Sequence, residues 1–148
     1  MTTRHREAGT STLGSSEAGT PDRDRRPPGR TVAVGGFYLM MSGINTGLAI
    51  GDPQVYDTFA KGGLFAFVRT GWSDVVMADP RLWILLLAAG EATMGVLLLV
   101  GGRAARMGWV AVLAFHALLL LFGWGVWAYA VPAIALLARL LRHDWHRL

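Results

Sequence analysis

Between Leu82 and Gly101 the chain reads LWILLLAAGEATMGVLLLVG, twenty residues in which one side chain, Glu91, carries a charge. A helix of ~20 residues rising 1.5 Å per residue crosses the ~30 Å hydrocarbon core of a bilayer. Within that core each backbone polar group must find its partner inside the protein, which leaves helices and closed barrels as the spanning structures. A run this long and this apolar reads as a transmembrane helix, and the rest of the chain has to be organised around it.

Other stretches repeat the signal. A first span covers roughly 31–51 and is stopped by Asp52-Pro53. The second covers 82–101, introduced by Asp79-Pro80 and closed by Gly101-Gly102-Arg103. The thirty-five residues Met107–Leu141 are too many for one span and slightly few for two. Gly123-Trp124-Gly125 lies at their middle and suits a tight turn, so spans are expected at 107–122 and 126–141, with 102–106 as a loop. The expected fold class is all-α: a polytopic membrane protein, a four-transmembrane-helix bundle over residues 31–148.

Residues 1–30 are rich in Gly, Ser, Thr, Pro and charge, with one leucine and no aromatic. Such a segment buries too little surface to offset its ordering entropy, so a disordered N-terminal tail is expected. The net charge of +4 does not form a basic stripe interleaved with aromatics, which sets nucleic acid aside as a partner. Arginines instead sit in the tail (Arg23, Arg25, Arg26, Arg30), between the second and third spans (Arg103, Arg106) and at the C-terminus (Arg139, Arg142, Arg147). By the positive-inside rule this puts both termini on the cytoplasmic side of the membrane. The lipid bilayer is then the first partner. Trp83, Trp124 and Trp127 are expected at the outer interface and Trp109 and Trp145 at the inner one, because amphipathic rings favour that level.

The 52–81 connection is unusually greasy, with Val55, Phe59, Leu64, Phe65, Phe67, Val68, Trp72, Val75 and Val76. It is expected to form short amphipathic pieces on the extracytoplasmic face, hinged at Gly62-Gly63 and capping the bundle or dipping into it.

An ionisable group at bilayer depth costs about 2.5–3.5 kcal/mol on insertion scales, so it points into the protein and has a partner. On a helix Glu91 shares a face with Ala88, Ala92 and Gly95, a strip of small residues where another helix approaches closely. His116 lies in the next apolar run. Glu91 is about ten residues before Gly101 and His116 about ten after Arg106, so the two fall at one depth, ~15 Å from the boundary; residue counts set this height and leave open whether the two side chains face each other. On the first span Tyr38, Ser42, Asn45 and Thr46 share a face, with Gly43 and Gly47 as a GxxxG on its flank. Tyr38, Ser42, Asn45, Glu91 and His116 form the candidate site for a ligand or a proton relay. Against it stands the structural reading, in which Ser42, Asn45 and His116 only bond neighbouring helices.

The chain has no cysteine, which excludes disulfide exchange through its own thiols, Cys-ligated metal centres and thioether haem attachment. No HExxH, GxSxG, P-loop or paired-carboxylate pattern supports hydrolysis, which argues against a self-contained enzyme. His143-Asp144-Trp145-His146 places two histidines three apart, a poor metal site that reads better as a solvated chain end.

The first span ending GINTG, followed by LLLAAGEATMGVLLLVGGRAARMGWVAVLAF, resembles the DoxX-like group of small four-helix bacterial membrane proteins over about residues 32–142. An acid among small residues precedes a Gly-Arg turn and an apolar third span in both. The resemblance implies a place in membrane-associated redox work, as an accessory or ligand-binding subunit with quinone as the candidate cofactor and a redox protein as partner. The alternative is a small proton-coupled solute carrier using Glu91 and His116 as its relay; so small a carrier would call for a homo-oligomer.

Overall fold

The computed structural model describes residues 26–148; the expectation of a disordered tail falls mainly on residues 1–25, outside that range. Among the described residues all regular structure is helical.

The first helix, α1, runs Gly29–Gly51. It follows Pro27-Pro28 and ends where Asp52, preceding Pro53, is driven out of the helical region to φ −151°. A 3₁₀ turn at Pro53–Tyr56 comes next. A short helix, α2 (Ala66–Gly71), continues into a π-helical turn at Trp72–Val76. The third helix, α3, spans Pro80–Val100; proline occupies its first turn and the Asp79 carboxylate accepts from the Leu82 N–H at 3.2 Å. Both are strong starting signals, since the proline lacks an N–H that would go unsatisfied there and the carboxylate satisfies one that would. Then come α4 (Gly102–Leu119), tightened into 3₁₀ geometry at Leu120–Phe122, and α5 (Trp124–Asp144), which continues through Pro132. Four helices, α1, α3, α4 with its 3₁₀ end, and α5, are long and apolar enough to cross a membrane. That is compatible with an integral membrane protein.

The helical boundaries differ from expectation at one informative place. Residues 102–106, expected to be a loop, form the first turns of α4. Arg103, Ala104, Ala105 and Arg106 are all good helix formers, and both arginines are exposed. Their charges mark where the apolar surface ends, not where the backbone stops being helical. The same reasoning carries α5 to Asp144, beyond the expected 141.

The helices pack in a ring: α1 most extensively on α3, α3 on α4, α4 on α5, and α5 only sparsely back on α1. The α1–α3 seam closes at Gly35 and Gly95, where a Cβ added to Gly95 would lie 2.9 Å from the Gly35 carbonyl oxygen. Gly43 and Gly47, the expected GxxxG, instead face open space. Packing without a hydrophobic drive between helices relies on such close approaches. Gly108 performs the same role between α4 and α3, with a Cβ there meeting Leu97 and Leu98 at 3.0–3.1 Å.

Trp109 is fully buried among the helices. Its indole N–H donates to the Thr31 hydroxyl at 3.3 Å, and Thr31 donates to Asp144 at 3.0 Å. His143 contacts the other Asp144 oxygen at 3.1 Å, and the Arg106 guanidinium lies 5.3 Å over the Trp145 ring. Asp144 is 1% exposed, so the end of α5 is not the solvated terminus expected for it but a clamp joining α1, α4 and α5. Thr31→Val would leave the Trp109 N–H and one Asp144 oxygen without partners, at about 1–3 kcal/mol. Thermal melting of the detergent-solubilised variant, followed by tryptophan fluorescence, is the measurement; an unchanged midpoint would remove the clamp from the account.

Candidate functional site

The bundle interior holds two hydrogen-bonded groups, one on each side of an apolar cavity. The first lies between α1 and α3. Glu91 is on the buried stripe Ile84, Ala88, Glu91, Gly95, Leu98, of which Gly95 meets α1 and Leu98 meets α4. Its Oε2 accepts from the Asn45 amide at 2.7 Å. The Asn45 carbonyl oxygen in turn accepts from the Tyr56 hydroxyl. Tyr56 comes from the 3₁₀ turn after α1, so the greasy connection supplies a polar group to the interior.

The second group bridges α1, α4 and α5. His116 lies on the stripe Ala105, Trp109, Val112, His116 of α4 and is 2% exposed. Its Nδ1 is 3.0 Å from the Val112 carbonyl oxygen and 3.1 Å from the Tyr38 hydroxyl, and its Nε2 is 3.2 Å from the Tyr129 hydroxyl. A carbonyl oxygen only accepts, so Nδ1 carries the hydrogen. A neutral ring then accepts at Nε2, where the Tyr129 hydroxyl donates. The Tyr38 oxygen shares the Nδ1 hydrogen with Val112, which leaves the Tyr38 O–H proton free to donate elsewhere.

The facing that residue counts left open is decided against contact between Glu91 and His116: no hydrogen bond or ion pair joins them among the described residues. Their heights are similar, because Gly108 against Leu98 sets a register that brings Glu91 within about a turn of His116. Their faces differ. Gly108 looks at α3, and His116, eight residues further on, points about 80° round the helix, towards Tyr38 and Tyr129. Ser42 is half-buried and its carbonyl accepts from the Thr46 hydroxyl at 2.8 Å; its side chain bonds to neither group. Tyr38 and Asn45 do join the interior, one in each group.

Between the groups lies a cavity of about 430 Å³. Phe37, Met41, Leu87, Phe115 and Leu119 give it apolar walls, and Tyr38, Asn45, Tyr56, Glu91 and Tyr129 bring polar atoms to its lining. Its roof is built by the 52–79 connection. Phe59, Trp72 and Phe122 stack in a triangle with centroids 4.9–5.3 Å apart. The Trp72 indole donates to the Tyr56 carbonyl at 2.9 Å, and the Leu64 N–H to the Leu121 carbonyl at 3.2 Å. Gly63 is buried, with its carbonyl accepting from Arg69 at 2.6 Å. The Gly62-Gly63 pair expected as a hinge is thus the point where the connection docks on the α4–α5 turn.

Burial, and then the neighbouring Glu91 carboxyl, hold the Tyr56 phenol above its usual range. The folded protein therefore binds that proton more tightly than the unfolded chain does. The contribution of the Tyr56 latch is complete below about pH 10 and is lost as the pH climbs through the raised value. Hydrogen exchange of residues 53–77 should be flat with pH, after correction for intrinsic rates, until that range and then accelerate. Tyr56→Phe should show faster exchange at every pH, with the alkaline break gone.

Tyr56 and Tyr129 were not among the residues the sequence singled out. Tyr129 lies on α5 and Tyr56 in the connection, and neither stands on a polar stripe that periodicity could reveal. Among the described residues no three His, Asp or Glu side chains converge as a metal site. The fold and interior define a bundle of four helices, each long and apolar enough to cross a membrane, around a polar-ended cavity. No protein-family profile, curated protein or solved structure matches the chain.

Proposed function

We propose that the chain is an integral protein of the bacterial inner membrane, of DoxX-like type, that binds a small amphipathic molecule of the quinone class as an accessory subunit of a membrane redox complex. The cavity between the two polar groups carries this reading. Its volume lies within the ~300–1,000 Å³ range of small-molecule sites, and it pairs mostly apolar walls with a few convergent polar groups, the usual make-up of such sites. A quinone head is a flat apolar ring with a carbonyl acceptor at each end. The free Tyr38 hydroxyl proton suits one carbonyl, and the Asn45 amide, whose second hydrogen is not used by Glu91, suits the other. Aromatic walls from Phe37, Phe115 and Phe122 suit the ring face. Arginines beside the helix ends support an orientation with both termini in the cytoplasm.

The test uses purified protein and a water-soluble 1,4-benzoquinone carrying two methoxy groups and one methyl group, with quenching of tryptophan fluorescence as readout. Trp72 lines the cavity and should report occupancy. Glu91→Gln and Tyr38→Phe are expected to leave expression and melting nearly unchanged and to weaken binding tenfold or more. Undiminished binding in both variants would count against this site.

A proton-coupled carrier is the second reading, favoured by the Tyr38–His116–Tyr129 chain of hydrogen bonds. Proteoliposomes that build no pH-driven flux of any solute would dispose of it.

A further inference from the structure

A second cavity, of about 390 Å³, lies between α1 and α5 on the side of the bundle towards the chain termini. It is lined by Ala33 and Val34 of α1 and by Ala133, Leu136 and Leu137 of α5, apart from polar groups at its ends. It shares Phe37, Tyr38 and Tyr129 with the first cavity, so the two are neighbours across a rim of three aromatic side chains. Two of these, Phe37 at 43% exposed and Tyr129 at 50%, lie at the bundle surface. The groove exists because α5 packs only sparsely on α1, so the ring is loosest at this seam. Leu136 is 58% exposed, and Ala33 is exposed as well, so the groove opens sideways from the bundle and not through the roofed end.

From this continuity we infer that the ligand of the first cavity is lipid-borne: it enters sideways between α1 and α5 and keeps an apolar chain in the α1–α5 groove while its polar head lies beyond the Phe37–Tyr38–Tyr129 rim. The inference rests on the proposed head site and adds the class of ligand, a head joined to a long hydrocarbon or isoprenoid chain, as against a water-soluble solute. Three features favour it. The roof built by Phe59, Trp72 and Phe122, tied down by Leu64 and Tyr56, closes the end that a water-soluble molecule would use. The groove walls are almost wholly apolar, so they match a chain and offer a solute nothing. The free Tyr38 proton stands at the junction of the two cavities, where it holds a head by its carbonyl while the chain passes on into the groove.

The experiment compares two probes on one protein in nanodiscs of phosphatidylcholine and phosphatidylglycerol: the bare dimethoxy-methyl-benzoquinone, and the same ring carrying a decyl chain. Ala33→Trp fills the groove from its exposed side, where a larger side chain has room and folding is not at stake. Ala133→Phe fills it from α5. In both variants the decyl probe is expected to bind at least tenfold more weakly than to wild type, with the bare ring changed less than twofold. If the variants bind the decyl probe as wild type does, while the bare ring still binds, the inference fails and the head site survives. Equal loss of both probes in both variants overturns it too, because groove and head site would then not be separable. If wild type quenches with neither probe, the head site itself is wrong and the inference falls with it.

Discussion

Gly95→Val is expected to cost the protein more than about 3 kcal/mol and to take most of the folded bundle with it. A Cβ at this position would stand 2.9 Å from the Gly35 carbonyl oxygen and 2.8 Å from Leu39 Cγ. Leu39 can turn aside, but a backbone carbonyl in the middle of a helix cannot. Overpacking of a tight core costs roughly 1–3 kcal/mol where side chains alone must yield, and more where helices must part. Here the helices must part along the most extensive contact in the bundle. Glu91 is one turn away on the same face, so its bond to Asn45 should be lost together with the seam. Gly95→Ala should give an intermediate loss. Thermal melting in a mild detergent checks the series, and a valine variant melting within a degree or two of wild type would contradict the close approach.

Gly123→Ala should have the second-largest effect, and a more local one. Gly123 has φ 86° and ψ −164°, a region essentially reserved for glycine and costing other residues ~1–3 kcal/mol. A Cβ there would also fall onto the carbonyl of Gly62. The methyl group therefore strains the α4–α5 turn and pushes away the segment that docks on it. The roof should lift, and the bond from Leu64 N–H to Leu121 should break. Faster hydrogen exchange and proteolysis across residues 57–71 would register this, with α3 and α4 little changed. Gly125→Ala, two positions on and with open space beside it, is the control; it should be neutral or slightly stabilising. If the two alanines behave alike, the docked roof is wrong.

Much of this architecture is legible in the amino-acid order because the bilayer imposes length and apolarity on each segment separately. The stop at Asp52-Pro53 and the start at Asp79-Pro80 act through one or two residues, so they can be read without knowing any neighbour. Glu91 stands out for the same reason: an acid amid hydrocarbon is costly wherever the helix finally packs. The strip Ala88–Gly95 correctly indicated that a helix approaches there, and Gly95 does contact α1. Charge was a poorer guide to where helices end. Arg103 and Arg106 lie inside α4, because exposure of a side chain to water says nothing against helical backbone.

What stayed hidden was rotation and partnership. Matching heights for Glu91 and His116 could be worked out from residue counts, yet the direction each faces depends on which ridge of α4 receives α3, a choice made by Gly108 against Leu97 and Leu98. Thr31, Trp109 and Asp144 are scattered through the chain and converge only when three helices are in place. Tyr56 becomes part of the interior because the connection folds back over it. Segment identity is a one-body property, written in local composition and paid for by the solvent; facing, pairing and the shape of a cavity are many-body properties, and they exist only once the helices have found one another.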